Sequence, residues 1–259
     1  MIVFLDENRL DVNASFSATS ATVATFSSLY DNDLGTKVVS IGSNDSTPEE
    51  WYISFSSAVS FNRIFVGNHN IKAGTIWYST DDGANYNNFS NIIAWSDNTA
   101  SHNYFEFSEV TGVTNIYILM TTTQTADAQK YIGQFRAFSE IGEVQENPVE
   151  FEHEYTETAA INTTANGGIV KTSFGERFRA RLLFQGANTT DMTLFRALKD
   201  RILPFYVYPC GGVTTYDQEG FRVQDMHFVN WTGNYKPSLR GNFSLLDIGT
   251  DIEMMLEET

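Results

Sequence analysis

The chain has 259 residues, 42% hydrophobic and 14% aromatic, which is material for one large or two ordinary folded domains and excludes a disordered chain. Lys and Arg number 16 against 32 Asp and Glu, and the formal charge of −16 repels nucleic-acid backbones and anionic membrane surfaces alike. One cysteine, Cys210, excludes an internal disulfide and a cysteine-built metal cage, and between Pro209 and Gly211 it reads as a bystander, not a nucleophile.

The first ten residues lack the basic start and long apolar core of a signal peptide, and no apolar run approaches the roughly 20 residues of a membrane helix. The expectation is a chain folded in the cytosol with no membrane insertion. Ile2–Leu5 predicts a first strand, and Asp11 to Leu29 predicts irregular edge structure with short strands. An acidic turn follows at Asp31–Thr36, then a short strand at Val38–Ile41 and a polar loop carrying Pro48. Trp51–Phe55, Phe61–Val66 and Thr75–Tyr78 are short aromatic and β-branched runs cut by turn formers, hence strands. Alternation puts Trp51, Ile53 and Phe55 on a core face, and Trp77 is expected to alternate into the core as well. Asp81-Asp82-Gly83 supplies a tight turn. Ile92–Trp95, Tyr104–Phe107, Asn115–Met120 and Tyr131–Phe138 continue the pattern. About nine short strands with regular turns predict an antiparallel β-sandwich.

Glu140 to Glu157 is acidic with little core material, and reads as a linker or as the exposed first strand of a second domain. The boundary falls near Ile141, giving a sandwich over 1–140 and an α+β domain over 141–259. In the second part, Glu176–Phe184 alternates as a long strand. Thr190 to Leu203 predicts a helix, with Thr190 as cap, Asp191 in the first turn, an apolar stripe of Leu194, Phe195, Leu198 and Ile202, and Pro204 as its stop. Phe205–Tyr208, Phe221–Val223, Met226–Trp231 and Asn242–Ile248 predict a small sheet under that helix. The acidic tail from Asp251 predicts a frayed end or a segment that docks on a neighbour.

The first part resembles the discoidin, or coagulation factor 5/8 C-terminal, family of galactose-binding-like jelly rolls. The residues that carry this are Asp31–Thr36, Trp51–Phe55, Val59–Val66, Ile76–Gly83 with Tyr86, and Tyr131–Phe138, where a family Glu stands as Gln134. Gly67-Asn68-His69-Asn70-Ile71 is similar to a motif of bacteriophage minor tail proteins built on this fold. Phe195–Leu198 through Pro204–Pro209 is similar to the helix-then-strand segment of phage distal-tail proteins. Together the resemblances imply a virion structural protein of a phage tail, assembled in the host cytoplasm. It would form a homo-oligomeric ring with other tail proteins, with Leu194, Phe195, Leu198, Ile202, Phe205 and Tyr208 at the assembly interface.

No hydrolase signature is present, and His69, His102, His153 and His227 are far apart, so the expectation is not an enzyme. Glu152-His153-Glu154 reads as a solvated acidic strand. Asp31, Asp33 and Thr36 have the hard-oxygen spacing of a calcium turn, as some discoidin-like sandwiches use, against a plain Asx turn; Gln134 removes one negative ligand from that set. For a host glycan, His69, Asn70, Tyr86 and Trp95 are the candidates, with His69-Asn70 alternatively bracing a loop. A carbohydrate-binding module is accordingly the alternative function.

Overall fold

The computed structural model describes residues 2–11, 14–20, 22–23, 25–31, 35–42, 44–144, 150–163, 169–187, 189–201, 203–208, 227–231, 238–240 and 249–258. The first strands are β1 (Ile2–Leu5), β2 (Ala14–Ala18), β3 (Thr22–Val23), β4 (Val38–Ser40), β5 (Glu49–His69), β6 (Ile71–Ser79) and β7 (Ile93–Trp95). Then come β8 (Asn103–Thr123), β9 (Tyr131–Phe138), β10 (Glu140–Val144), β11 (Glu150–Thr163), β12 (Ile169–Ala187) and helix α1 (Thr189–Asp200). The chain closes with β13 (Phe205–Tyr208), β14 (His227–Trp231), β15 (Ser238–Arg240) and β16 (Gly249–Glu258). The predicted strands at Phe221–Val223 and Asn242–Ile248 lie outside the described residues.

An antiparallel sandwich occupies the first part, as its alternation predicts. Its strand order is β3-β4-β9-β5-β8-β6-β7, with β2 on β5. The runs Trp51–Phe55 and Phe61–Val66 are one strand, not two, and the runs at 104–107 and 115–120 are likewise fused. No reversing turn separates them; β5 and β8 shift register between Ser54 and Arg63, and Gly112 takes φ +71° beside that bend. Before the bend Trp51–Phe55 pairs with β2 and Glu49–Ser54 with Asn115–Met120; after it Arg63–Val66 pairs with β9 and Asn103–Glu106. Two layers therefore share the same two long strands. Trp51, Ile53, Ile76, Ile116 and Ile118 from one layer meet Ile64, Val66, Ile132 and Phe135 from the other, all fully buried. Trp51 spends its one polar group inside this core by donating to Ser40 Oγ at 2.9 Å.

The second sheet runs β10-β1-β13-β14-β16-β12-β11, with β15 on β16. The first strand thus belongs to this sheet and not to the sandwich: Ile2 faces Val144, and Val3 faces Glu143 on one side and Tyr208 on the other. All four residues of β1 are buried, so the strand needs cover on both edges and both faces. Glu140–Val144, read as a linker or a first strand, is a strand, and the sandwich is an insertion between β1 and β10. The end of the chain is also a strand, not a frayed tail: β16 lies between β12 and β14, with Glu257 opposite Arg179. Helix α1 ends at Asp200, shorter than predicted. Its Phe195 and Leu198 sink into a core with Phe4, Phe205, Val229 and Trp231.

The two parts pack through Phe138 and Tyr206, with ring centroids 4.9 Å apart, and through Arg136, whose guanidinium lies between Phe65 and Tyr206 at 5.6 and 5.4 Å.

Candidate functional site

The structure spreads the four residues picked for sugar over two regions. His69 is fully buried on β5; its Nδ1 accepts the Ile71 N–H at 3.1 Å, which leaves the proton on Nε2 to donate to Asn103 Oδ1 at 2.7 Å. Trp95 Nε1 donates to that same oxygen at 2.8 Å, and the two rings are 5.4 Å apart. Burial holds the imidazole down to about 4, so it stays neutral. Asn70 donates to the Gln129 carbonyl at 2.7 Å and accepts the Tyr131 N–H at 3.1 Å. These three side chains brace loops from inside. Tyr86 alone of the four stands half-exposed.

Tyr86 belongs to a different group. Tyr52 on β5, Tyr117 on β8 and Trp77 on β6 are cross-strand neighbours, because Trp51, Ile53, Ile116, Ile118 and Ile76 take the core side of those strands. Trp77, expected in the core, therefore points outward. The three half-exposed rings form one row: Tyr52 to Tyr117 at 5.0 Å and 14°, Tyr117 to Trp77 at 5.1 Å and 16°. Tyr86 leans on Tyr117 at 5.2 Å and on Tyr52 at 6.5 Å. Four aromatic rings on one outward face exceed what scattered surface hydrophobics provide. The sequence carried one usable signal for this row, namely that Tyr52 alternates against Trp51 and Ile53.

Polar groups rim the row. Glu50 Oε2 accepts the Tyr52 hydroxyl at 2.5 Å, a bond that pushes that phenol up, with burial adding to it. Burial and then Glu50 push Tyr117 up to about 12, and burial with Asp81 pushes Tyr86 up. All three phenols therefore remain O–H donors at neutral pH. Asp81 accepts from Ser79 Oγ at 2.6 Å and from the Asn85 amide and side chain at 2.9 and 2.7 Å; these bonds hold its carboxyl down to about 2. The turn that presents Tyr86 is thus rigid and anionic. Across the row, Asn115 donates to Ser54 Oγ at 2.7 Å.

Of the calcium candidates, Asp33 lies outside the described residues. Asp31 and Thr36 are joined, with Thr36 Oγ1 donating to Asp31 Oδ2 at 2.9 Å. No group of three or more His, Cys, Asp or Glu residues suited to a metal occurs among the described residues. Of the assembly candidates, Phe195, Leu198 and Phe205 are buried in the chain's own core, and Leu194 is half-buried against Gly142. Tyr208 sits on β13 opposite Val3, and Ile202 lies outside the described residues.

No family model and no curated protein matches the sequence. Among solved structures, the chain is similar to chitosan-binding module 1 of a chitosanase/glucanase from Paenibacillus sp. IK-5, at 19% identity over 51% of this chain and 100% of that one, with TM-score 0.43. It is similar to CBM32-1 from a family 31 glycoside hydrolase of Clostridium perfringens, at 18% identity over 49% of this chain and 94% of that one, with TM-score 0.37. A family 32 carbohydrate-binding module of C. perfringens NanJ in complex with galactose gives 16% identity, 54% and 100% coverage, and TM-score 0.41.

Proposed function

We propose that the chain is a non-catalytic binding protein whose sandwich holds a glycan on the Tyr52–Tyr117–Trp77 row. The observation that carries this is the row itself, a half-exposed aromatic surface set beside phenol hydroxyls and side-chain acceptors. Sugar rings offer apolar C–H faces to aromatic surfaces and hydroxyls to such polar rims. Nucleic acid, the other class that stacks on exposed aromatics, is opposed by the charge of −16. The same field, with Glu50 and Asp81 at the rim, disfavours sialylated and sulfated chains and favours neutral or amino-bearing ones. A glycan array is the experiment. Binding to neutral or amino sugars, lost in Trp77→Ala and kept in Asn70→Ala, supports the reading; retention in Trp77→Ala refutes the site.

A second reading, a structural subunit of a virion tail, is favoured by one observation. In the C-terminal sheet, β12 pairs with β16 only from Arg179 onward, so Tyr155–Thr163 and Ile169–Phe178 form a ribbon of two strands among the described residues. Such a ribbon is marginal by itself and gains from a neighbouring subunit. This reading expects a ring that forms with itself or with other tail proteins, measured as mass by light scattering with and without co-expressed partners. A monomer under every condition contradicts it. The two readings are compatible, since the sandwich and the sheet that carries it are separate surfaces of one chain.

A further inference from the structure

We infer that this sandwich ties Asp31 to β9 without a metal: the Gln134 carboxamide, clamped by the buried Arg136 guanidinium, makes the cross-link where the discoidin resemblance expects calcium. Gln134 is fully buried on β9. Its Nε2 donates to Asp31 Oδ1 at 2.7 Å and to the Ser28 carbonyl at 3.2 Å, while Thr36 Oγ1 donates to Asp31 Oδ2. Both oxygens of the Asp31 carboxylate therefore already face N–H or O–H donors.

The amide cannot simply turn over to offer its oxygen. Arg136 Nη2 and Nε donate to Gln134 Oε1 at 3.0 and 3.3 Å, and a guanidinium only donates, so the oxygen must face Arg136 and the NH2 must face Asp31. Arg136 is itself held between the Phe65 and Tyr206 rings. A calcium ion wants six to eight oxygens at about 2.3–2.6 Å. Here the Gln134 nitrogen sits against the Asp31 carboxylate, and the Arg136 charge stands behind it. Gly133 leaves no slack either, since a Cβ there would lie 2.9 Å from the Thr36 carbonyl, so Thr36 already rests on the β9 backbone. A second loop is tied the same way. Lys130 is fully buried and its ammonium donates to the carbonyls of Asn44 and Thr47. In both places a side-chain N–H donor of the protein gathers loop oxygens, the Gln134 amide in one and the Lys130 ammonium in the other.

The test uses the full chain. Thermal unfolding is compared in excess calcium chloride and in chelator, with calorimetric titration of calcium alongside. The inference expects one melting temperature in both and no heat beyond dilution. A calcium-dependent rise or a saturable heat overturns it, and this arm decides even if no variant folds. Gln134→Glu sets a second carboxylate against Asp31. It is expected to melt several degrees lower in chelator and to recover in calcium. If it melts like the wild type, or stays blind to calcium, the amide does not stand in the cation's place.

Discussion

Arg201 Nη2 donates to Asp6 Oδ1 at 2.6 Å, tying the residue after helix α1 to the segment that leads from β1 into the sandwich. Arg9 reaches the other Asp6 oxygen at 3.3 Å and also bonds the Ser60 carbonyl and Ser139 Oγ. The two chain crossings of the insertion thus meet at one charged clasp. Burial pushes the Asp6 carboxyl up, but the Glu7 amide, Arg201 and Arg9 outweigh it and hold it low. Arg201→Met should cost about 1–3 kcal/mol in urea unfolding at neutral pH. A carboxyl held low in the folded state stabilises above its ordinary value and loses that contribution as pH falls through the lowered one. The difference between variant and wild type should therefore shrink in acid. A constant difference would show that the clasp acts by packing alone.

His69 gives a second pH dependence of known direction. Its folded value of about 4 lies below the ordinary 6.5, so between these values the unfolded chain binds the extra proton. Stability should be complete above about pH 6.5 and fall toward pH 4, by at most about 3 kcal/mol from this group. Melting temperature followed across that range should show the fall, and His69→Gln, though less stable at pH 7, should show a flatter profile. An identical slope in both proteins would remove His69 as the cause.

At the seam between the sandwich and β10, Arg63 bonds the Glu140 carboxylate and faces Glu106 at 3.8 Å. Burial pushes the Glu140 carboxyl up and Arg63 counters it. Removing the cation leaves two half-buried acids without their shared partner. Arg63→Met should cost about 1–3 kcal/mol, the range for losing a hydrogen-bonded partner of a partly buried charge. Adding Glu140→Gln should restore part of that loss in denaturant melts; no recovery would mean that Arg63 contributes through its aliphatic stem.

Gly74 on β6 packs its Cα side against β8, where an added Cβ would lie 2.3 Å from the Leu119 carbonyl. Gly74→Ala should therefore push apart the strands that carry Trp77 and Tyr117 and cost at least about 1–3 kcal/mol. Denaturant unfolding checks this; a stability unchanged from wild type would show that the β6–β8 approach is looser than described.

The faces of strands were legible where alternation was strict. Trp51, Ile53 and Phe55 declare a core side, and the sandwich follows from such runs. The helix was legible from its stripe and its Pro204 stop. Partnerships were not, because pairing is non-local: nothing in Ile2–Leu5 says that its neighbours are Glu140–Val144 and Phe205–Tyr208. The acidic residues of β16 disguised a strand as a tail. Beyond the outward alternation of Tyr52, the aromatic row was hidden for the same reason. Its rings come from three strands and a turn, and in Ile76-Trp77-Tyr78 the larger ring drew the core assignment that belongs to Ile76. His69, Asn70 and Trp95 had the right chemistry for sugar, and only burial reveals that they spend it on their own loops.

Of the four tryptophans, Trp51, Trp95 and Trp231 are buried and Trp77 is half-exposed in the row. Titrating the full chain with neutral and amino-bearing oligosaccharides while reading tryptophan fluorescence therefore addresses the proposed site directly. Sugar binding on the row predicts a saturable change in intensity or wavelength that disappears in Trp77→Phe. No change with any such glycan, or a change that persists in Trp77→Phe, would contradict the assignment of the row as a glycan site.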